Sequence, residues 1–267
     1  MTTRVIFVGA GQSNMAGFNN LPSPAPTYTN ASKIYCYSQP LDNDTGWPCN
    51  PSNPSAGTWA LATDPTHSQT SAGVSPLIAL ADRYITAKGD SSLEVGIVPC
   101  GWYGSRMNGE WAPIRQKYSA WYAMASRLKA AMAWGTVKGV LWAQGESEAC
   151  DSTLLTNEAG QAFALQPDIW PKWHQGLYAL IRETRAFVGL PTLPFIVTQL
   201  GNNPGDGHHP NWSNMQTAIS FIPQDDPTIQ VLSRSDLSTI ADGAHFTSAA
   251  QIAYGVQAAD KFIAMGA

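Results

Sequence analysis

Ser13 lies in G-Q-S-N-M, after an apolar β-branched run from Val5 to Val8 that stops at glycines and at the head of a stretch, Ser13 to Ala16, that can open a helix. Strand, tight turn and helix serve two chemistries. Gly9 and Gly11 supply the first half of a dinucleotide-binding G-x-G-x-x-G, but Asn14 takes the place of the third glycine. That fingerprint also needs an acidic residue about 20 positions on to bind the ribose hydroxyls. The first acidic residue of the chain is Asp42, and no G-K-[ST] of a phosphate loop follows. The other chemistry is a nucleophile: a serine on a sharp strand-to-helix turn faces solvent, with backbone N–H groups beside a developing negative charge. A serine after a strand can also do no more than cap its helix, so the nucleophile reading depends on partners elsewhere.

A nucleophilic serine needs a base, and the chain offers His67, His174, His208, His209 and His245. In D-G-A-H, Asp242 precedes His245 by three residues. One turn then brings the carboxylate to the imidazole, where it fixes the tautomer and stabilises the imidazolium. His174 falls in a helical pattern and is expected at the surface, and His67 falls in a polar loop. His208 and His209 in D-G-H-H-P suggest either a metal with Asp206 or a contact to substrate, and adjacent side chains rarely converge on one ion. In P-C-G-W-Y-G-S, Gly101 and Gly104 let backbone approach a ligand, and Gly104 is a candidate oxyanion donor. In W-A-Q-G-E-S-E, Gln144 can offer its side-chain amide to the same oxyanion or satisfy loop backbone, with the Glu146 carboxylate nearby.

The elements that must position these residues are strands alternating with helices. Strand character appears at Val5 to Val8, Ile34 to Tyr37, Glu94 to Pro99, Gly139 to Ala143 and Pro194 to Gln199, with a further edge strand at Ile229 to Leu232. Apolar positions at three- and four-residue spacing predict helices over Pro76 to Ala87, Ser119 to Trp134, Pro167 to Val188 and Thr247 to Met265. The pattern implies an α/β fold with a parallel sheet covered on both faces, whose ligands bind beyond the carboxyl ends of the strands. Ser13, Gly104, Gln144 and Glu146 all follow such ends. The segment 18–75, rich in Pro, Asn, Ser and Thr, is too long for a simple connection and is expected to lie over the site. No linker or repeat divides the chain, so one domain is expected over 1–267.

Composition narrows the ligand. The chain of 267 residues carries a net charge of -4 with only 13% charged residues, so no basic stripe follows a nucleic-acid backbone or an anionic membrane. No apolar run reaches the length of a membrane span, and the first strand begins too early for an export signal. A cytosolic protein, a mature fragment or a component of a released assembly such as a phage particle is expected. Of the four cysteines, Cys36 and Cys49 flank a polar loop and can bridge, as can Cys100 and Cys150 if their strands are neighbours; free thiols are the alternative. No C-x-x-C or zinc-finger spacing occurs, so no structural metal site is expected, and with the dinucleotide fingerprint broken no cofactor is expected. Trp47, Trp59, Trp102, Trp111 and Trp212 lie in or near expected loops and offer flat indole faces for stacking, although most are expected to pack instead.

Four ordered blocks together resemble the SGNH hydrolases, and within them the sialate O-acetylesterases and acetylxylan esterases of carbohydrate esterase family six. The blocks are G-Q-S-N-M-A-G at Gly11 to Gly17, V-G-I-V-P-C at Val95 to Cys100 with Gly104, L-W-A-Q-G-E-S at Leu141 to Ser147, and D-G-A-H-F-T at Asp242 to Thr247. The resemblance implies a flavodoxin-like three-layer αβα sandwich with a central five-stranded parallel sheet, and a serine acetylesterase acting on acetylated oligo- or polysaccharides. It implies Ser13 as nucleophile, His245 as base and Asp242 as its partner, with an oxyanion hole from the N–H groups of Ser13 and Gly104 and the Gln144 amide. Glu146 is a second acid partner for His245 or a structural carboxylate; Gln12, Trp102, Tyr103, Trp212 and His209 are candidate substrate contacts. The glycine block departs from the family pattern by placing Trp102 and Tyr103 beside the site, and Asn214 stands where a basic residue is expected. A non-catalytic carbohydrate-binding or phage-tail adhesion module, or a short-chain lipase or thioesterase, are the rival readings of the same scaffold.

Overall fold

The strand that carries Ser13, β1 (Thr3–Gly11), is the central strand of a seven-stranded sheet in this computed structural model. The structure describes residues 2–22, 24–38, 57–111, 119–150, 169–222, 226–234 and 236–267. In chain order the elements are β1, α1 (Ser13–Ala16), β2 (Ile34–Ser38), β3 (Thr58–Leu61), α2 (Pro76–Lys88), β4 (Leu93–Gly101), α3 (Ala120–Ala131), β5 (Thr136–Ala143), α4 (Glu146–Ala149), α5 (Ile169–Val188), β6 (Phe195–Thr198), α6 (Trp212–Ser220), β7 (Ile229–Leu232) and α7 (Ser248–Ala264).

The sheet order is β3-β2-β4-β1-β5-β6-β7, and every pairing is parallel except β2 with β3. Two strands thus extend the expected five: Ile229 to Leu232 closes one edge as anticipated, and Thr58 to Leu61 pairs antiparallel at the other. The second is short and mostly exposed, and its apolar run from Trp59 to Ala62 lies inside a segment otherwise rich in Pro, Asn, Ser and Thr. α6 is a further helix beyond those expected, because W-S-N-M-Q-T-A-I-S is only nine residues long and rich in Ser, Asn and Thr, which are weak helix formers.

Alternation along β1 explains the layers. Ile6, Val8 and Ala10 face a core shared with Trp121 and Leu128 of α3 and Leu177 and Ile181 of α5, while Val5 and Phe7 face Leu77 and Leu80 of α2 and Tyr254 and Phe262 of α7. The period of two sends successive side chains to opposite faces, and each fully buried large apolar side chain contributes roughly 1.5–3 kcal/mol. The result is helix, sheet, helix. From β1 the chain runs to one side of the sheet and crosses back to β5 on the other, so the reversal of strand order falls at β1. Outside the carboxyl ends of the strands flanking that point is where open α/β sheets bind ligands.

The cysteines follow from this order. β1 lies between β4 and β5, so Cys100 and Cys150 do not come from neighbouring strands and do not bridge. Cys36, Cys100 and Cys150 are free thiols; Cys49 and Trp47 lie outside the described residues.

Candidate active site

Gly11 ends β1 at a φ of +132°, and a Cβ there would sit 1.9 Å from the carbonyl oxygen of Ala143 at the end of β5. No residue with a side chain fits between the two strands. The Gln12 N–H donates to that same carbonyl at 2.8 Å, and the Trp102 N–H donates to the Gly11 carbonyl at 2.9 Å. The opening glycines therefore let three strand ends close up, and the chain turns into the single helical turn of α1 with Ser13 at its start.

Asp242 shapes the opposite wall. Its Oδ1 accepts from the N–H groups of Ala244 at 3.0 Å and His245 at 2.9 Å, and Gly243 supplies the φ of +72° that the turn requires. Its Oδ2 lies 2.7 Å from His245 Nδ1, and His245 Nε2 lies 2.8 Å from Ser13 Oγ. A carboxylate has no proton to give, so Nδ1 carries the ring hydrogen and Nε2 accepts from the Ser13 hydroxyl. Partial burial opposes ionisation of Asp242, but the hydrogen bonds from the His245 and Ala244 backbone and the His245 ring outweigh it and hold the carboxyl below its ordinary range. Phe18 lies against the His245 ring at 4.7 Å between centroids.

These groups line a cleft of about 310 Å³, together with Gln12, Tyr103, Gly104, Glu146 and His209. A larger groove of about 670 Å³ lies beside β7, but its lining of Tyr178, Arg185, Asp226 and their neighbours includes no serine, cysteine or histidine. The N–H groups of Ser13 and Gly104 have no acceptor among the described residues. Gln12 has its Oε1 pinned by the N–H groups of Gly145 and Ser147, both at 3.3 Å, while its Nε2 donates to no described residue.

Gln144 is placed differently from expectation. Its side chain is fully buried, its Nε2 donates to the Ser105 carbonyl at 3.1 Å and to Glu148, and its Oε1 accepts from Trp173 Nε1 at 2.8 Å. Both amide hydrogens are spent inside the protein, and an oxyanion in the cleft cannot claim them. Burial raises the Glu148 carboxyl to about 7.

Glu146 reaches the cleft but not His245. Its Oε1 accepts from Asn14 Nδ2 at 2.7 Å and lies 3.5 Å from Arg234 Nη2. Arg234 is buried against the faces of Phe246 and Tyr254 at 4.4 and 5.1 Å, with Nε donating to the Gln199 carbonyl at 2.8 Å. Among the described residues, Glu146 thus meets Asn14 and a buried guanidinium rather than the His245 ring.

Most of the tryptophans pack. Trp102 and Trp111 meet edge to face at 5.0 Å, Trp111 meets Trp142 at 4.6 Å, and Trp59 stacks on Trp134 at 4.4 Å. Trp102 and Trp212 do not line the cleft; Trp212 is buried, donates Nε1 to the Gly201 carbonyl at 2.8 Å and supports the His209 ring edge-on at 5.2 Å. Tyr103 does line it, edge-on to Phe18 at 5.1 Å. His67 lies in a loop as expected and is buried there, its Nε2 accepting from the Gly101 N–H at 3.0 Å. His174 is partly buried against the Ala218 carbonyl at 2.6 Å. Asn214 is exposed on α6, 3.4 Å from Asn211. Among the described residues, no three His, Cys, Asp or Glu side chains converge as metal ligands would, and no helix is long and apolar enough to cross a membrane.

The family model for carbohydrate esterases described as sialic acid-specific acetylesterases matches residues 3–264. The chain belongs to that family. This sialic acid-specific acetylesterase family member is accordingly a carboxylic ester hydrolase of the carbohydrate acetylesterase kind, as its four sequence blocks anticipate. Solved structures agree in fold. The Arabidopsis thaliana protein AT4G34215 is 21% identical with a TM-score of 0.70, covering 99% of both chains. XAC1771, described as a novel carbohydrate acetylesterase from Xanthomonas citri, is 21% identical with a TM-score of 0.66, and the match covers 98% of this chain but 57% of that one. NanS is 15% identical with a TM-score of 0.63, covering 100% of this chain and 99% of that one. No curated protein sequence matches this esterase.

Proposed function

We propose that this esterase removes acetyl groups from acetylated saccharides with Ser13 as nucleophile, His245 as general base and Asp242 as the group that orients the imidazole. The observation that carries the reading is the unbroken run of hydrogen bonds from Ser13 Oγ to His245 Nε2 at 2.8 Å and from His245 Nδ1 to Asp242 at 2.7 Å, opening on a cleft.

In the first step the Ser13 oxygen adds to the acetyl carbonyl carbon as its proton passes to His245 Nε2. The carbonyl oxygen, now negative, accepts hydrogen bonds from the Ser13 and Gly104 N–H groups and from Gln12 Nε2, which takes the part first expected of Gln144. Collapse of this intermediate breaks the bond to the sugar oxygen, and His245 returns the proton to that oxygen. Water then repeats the sequence on the acetyl-serine, releasing acetate and restoring Ser13. Each oxyanion donor of this kind is worth about 10²–10³ in turnover.

Ser13→Ala tests the reading. Hydrolysis of p-nitrophenyl acetate is expected to fall to background with the circular dichroism spectrum unchanged. Retained activity overturns the assignment, and saccharide binding by the parent protein without release of acetate replaces it with a binding module.

A further inference from the structure

The cleft holds a second histidine–carboxylate pair, built like the first. In D-G-A-H, Asp242 Oδ1 accepts from the N–H two residues on, Gly243 takes a φ of +72°, and the side chain three residues on meets Oδ2. In D-G-H-H, Asp206 Oδ1 accepts from the His208 N–H at 2.9 Å, Gly207 takes a φ of +73°, and His209 Nδ1 lies 3.0 and 2.9 Å from the two Asp206 oxygens. Asp206, His209, Asp242 and His245 all line the cleft that Ser13 opens into. One short sequence pattern has been used twice around a single cavity, and only one copy is occupied with the serine.

We infer that His209 is a specificity residue of this esterase, its Nε2 accepting a hydrogen bond from a saccharide hydroxyl that neighbours the acetyl ester. The inference rests on the acetylesterase reading above and names what the site recognises beyond the acetyl group. Asp206 accepts at Nδ1, so the ring hydrogen lies there and Nε2 presents a lone pair. Partial burial works against ionising Asp206, and the hydrogen bonds from the His209 ring and the His208 N–H overcome it, holding the carboxyl below its ordinary range. Nε2 meets no described residue as donor or acceptor, and the ring is held edge-on to the buried Trp212. The imidazole is thus fixed in tautomer and orientation, with its one remaining polar atom unspent.

A second base for Ser13 is not what this geometry offers, because the Ser13 hydroxyl already donates to His245. A rigid acceptor beside a reacting ester instead selects for substrates that bring a donor. A sugar acetate has a hydroxyl on an adjacent carbon, and an aryl or alkyl acetate has none. Sites built to hydrogen-bond a substrate hydroxyl discriminate against analogues lacking it more strongly than apolar pockets discriminate by size.

The test compares parent, His209→Ala, His209→Gln and Asp206→Asn on two kinds of ester: p-nitrophenyl acetate, and the best-hydrolysed member of a panel of mono-O-acetylated glucose, acetylated xylo-oligosaccharide and O-acetylated sialic acid. The quantity read is the ratio of kcat/KM for the sugar ester to that for p-nitrophenyl acetate. It is expected to fall roughly tenfold or more in His209→Ala, and to fall by less in Asp206→Asn, where a neutral amide holds the ring less firmly and leaves Nε2 a weaker acceptor. His209→Gln, which can present an oxygen at a similar distance, is expected to recover part of the loss. A ratio that stays put in the variants, whether both activities fall together or neither does, overturns the inference, as does a parent that hydrolyses p-nitrophenyl acetate but no sugar ester of the panel. A parent that hydrolyses neither kind overturns the acetylesterase reading instead.

Discussion

Asn14 grips the His245 loop with both atoms of its side-chain amide, Nδ2 donating to the Ala244 carbonyl at 3.0 Å and Oδ1 accepting from the Phe246 N–H at 3.0 Å. The residue after the nucleophile thus brackets the base from either side. Nδ2 also donates to Glu146 at 2.7 Å, and Gln251 Nε2 donates to the Asn14 backbone carbonyl at 2.7 Å, so the nucleophile turn, the base loop, α4 and α7 meet at one residue.

Asn14→Ala is expected to lower kcat by about ten- to a hundredfold with a smaller change in KM, because a displaced imidazole loses reach to Ser13 while the cleft keeps its lining. It is also expected to cost roughly 1–3 kcal/mol of stability through the buried groups left unpartnered. Steady-state kinetics and urea unfolding measure the two effects, and an unchanged kcat would remove Asn14 from the positioning of His245.

Asp242→Asn is expected to lower kcat on p-nitrophenyl acetate by on the order of 10³–10⁴, since an amide can donate to Nδ1 and leave the proton on the wrong nitrogen. The backbone turn keeps an oxygen acceptor in this variant, so the unfolding midpoint is expected to move little. A loss below about tenfold would show that the imidazole holds its tautomer without the carboxylate.

Gln12 and Gln144 separate by substitution. Gln12→Glu keeps an oxygen for the Gly145 and Ser147 N–H groups but exchanges the Nε2 donor for negative charge, and is expected to lower kcat by about a hundredfold or more. Gln144→Ala is expected to act on stability first, by roughly 2 kcal/mol, because it strands the Ser105 carbonyl and the Trp173 N–H. Kinetics beside unfolding curves decide between them; a Gln144 variant of full stability and hundredfold lower kcat would return the oxyanion amide to Gln144.

The parts of the site that were legible are those made by short-range chemistry. D-G-A-H closes its own turn within four residues, and G-Q-S-N-M ends a strand whose apolar run is unmistakable, so Ser13, Asp242 and His245 can be picked out before any fold is known. The direction of a side chain at a strand end is not local in this way. Gln144 and Gln12 are both glutamines beside glycine in strand-end loops, and only the placement of Ser105, Glu148 and Trp173 around one of them turns its amide inward. Arg234 gave no signal at all, since a lone arginine in S-R-S reads as surface until the carboxylate of Glu146 and the rings of Phe246 and Tyr254 enclose it. The strands of the sheet centre were plain because both faces are buried, whereas β3 at the exposed edge carries no such pattern.

His67 and Glu148 should tilt stability against pH in opposite directions. His67 accepts from the Gly101 N–H through a neutral ring nitrogen, and burial, followed by the charge of Arg127, lowers its pKa from 6.5 to about 3. Between those values the unfolded chain binds a proton that the folded chain refuses, so the stability present above pH 6.5 is lost as pH falls towards 3. Glu148 is raised by burial from 4.5 to about 7, so here the folded chain holds the extra proton, and stability present below pH 4.5 is lost as pH rises to about 7. The two slopes partly cancel in the parent protein and part company in variants. Relative to the parent, His67→Gln is expected to lose less stability on acidification from about pH 6.5 to 4, and Glu148→Gln to lose less on going from about pH 4.5 to 7, each at a limiting slope of about 1.4 kcal/mol per pH unit. Urea unfolding at a series of pH values reads both slopes; a His67→Gln curve parallel to the parent's would place the acid sensitivity in another group.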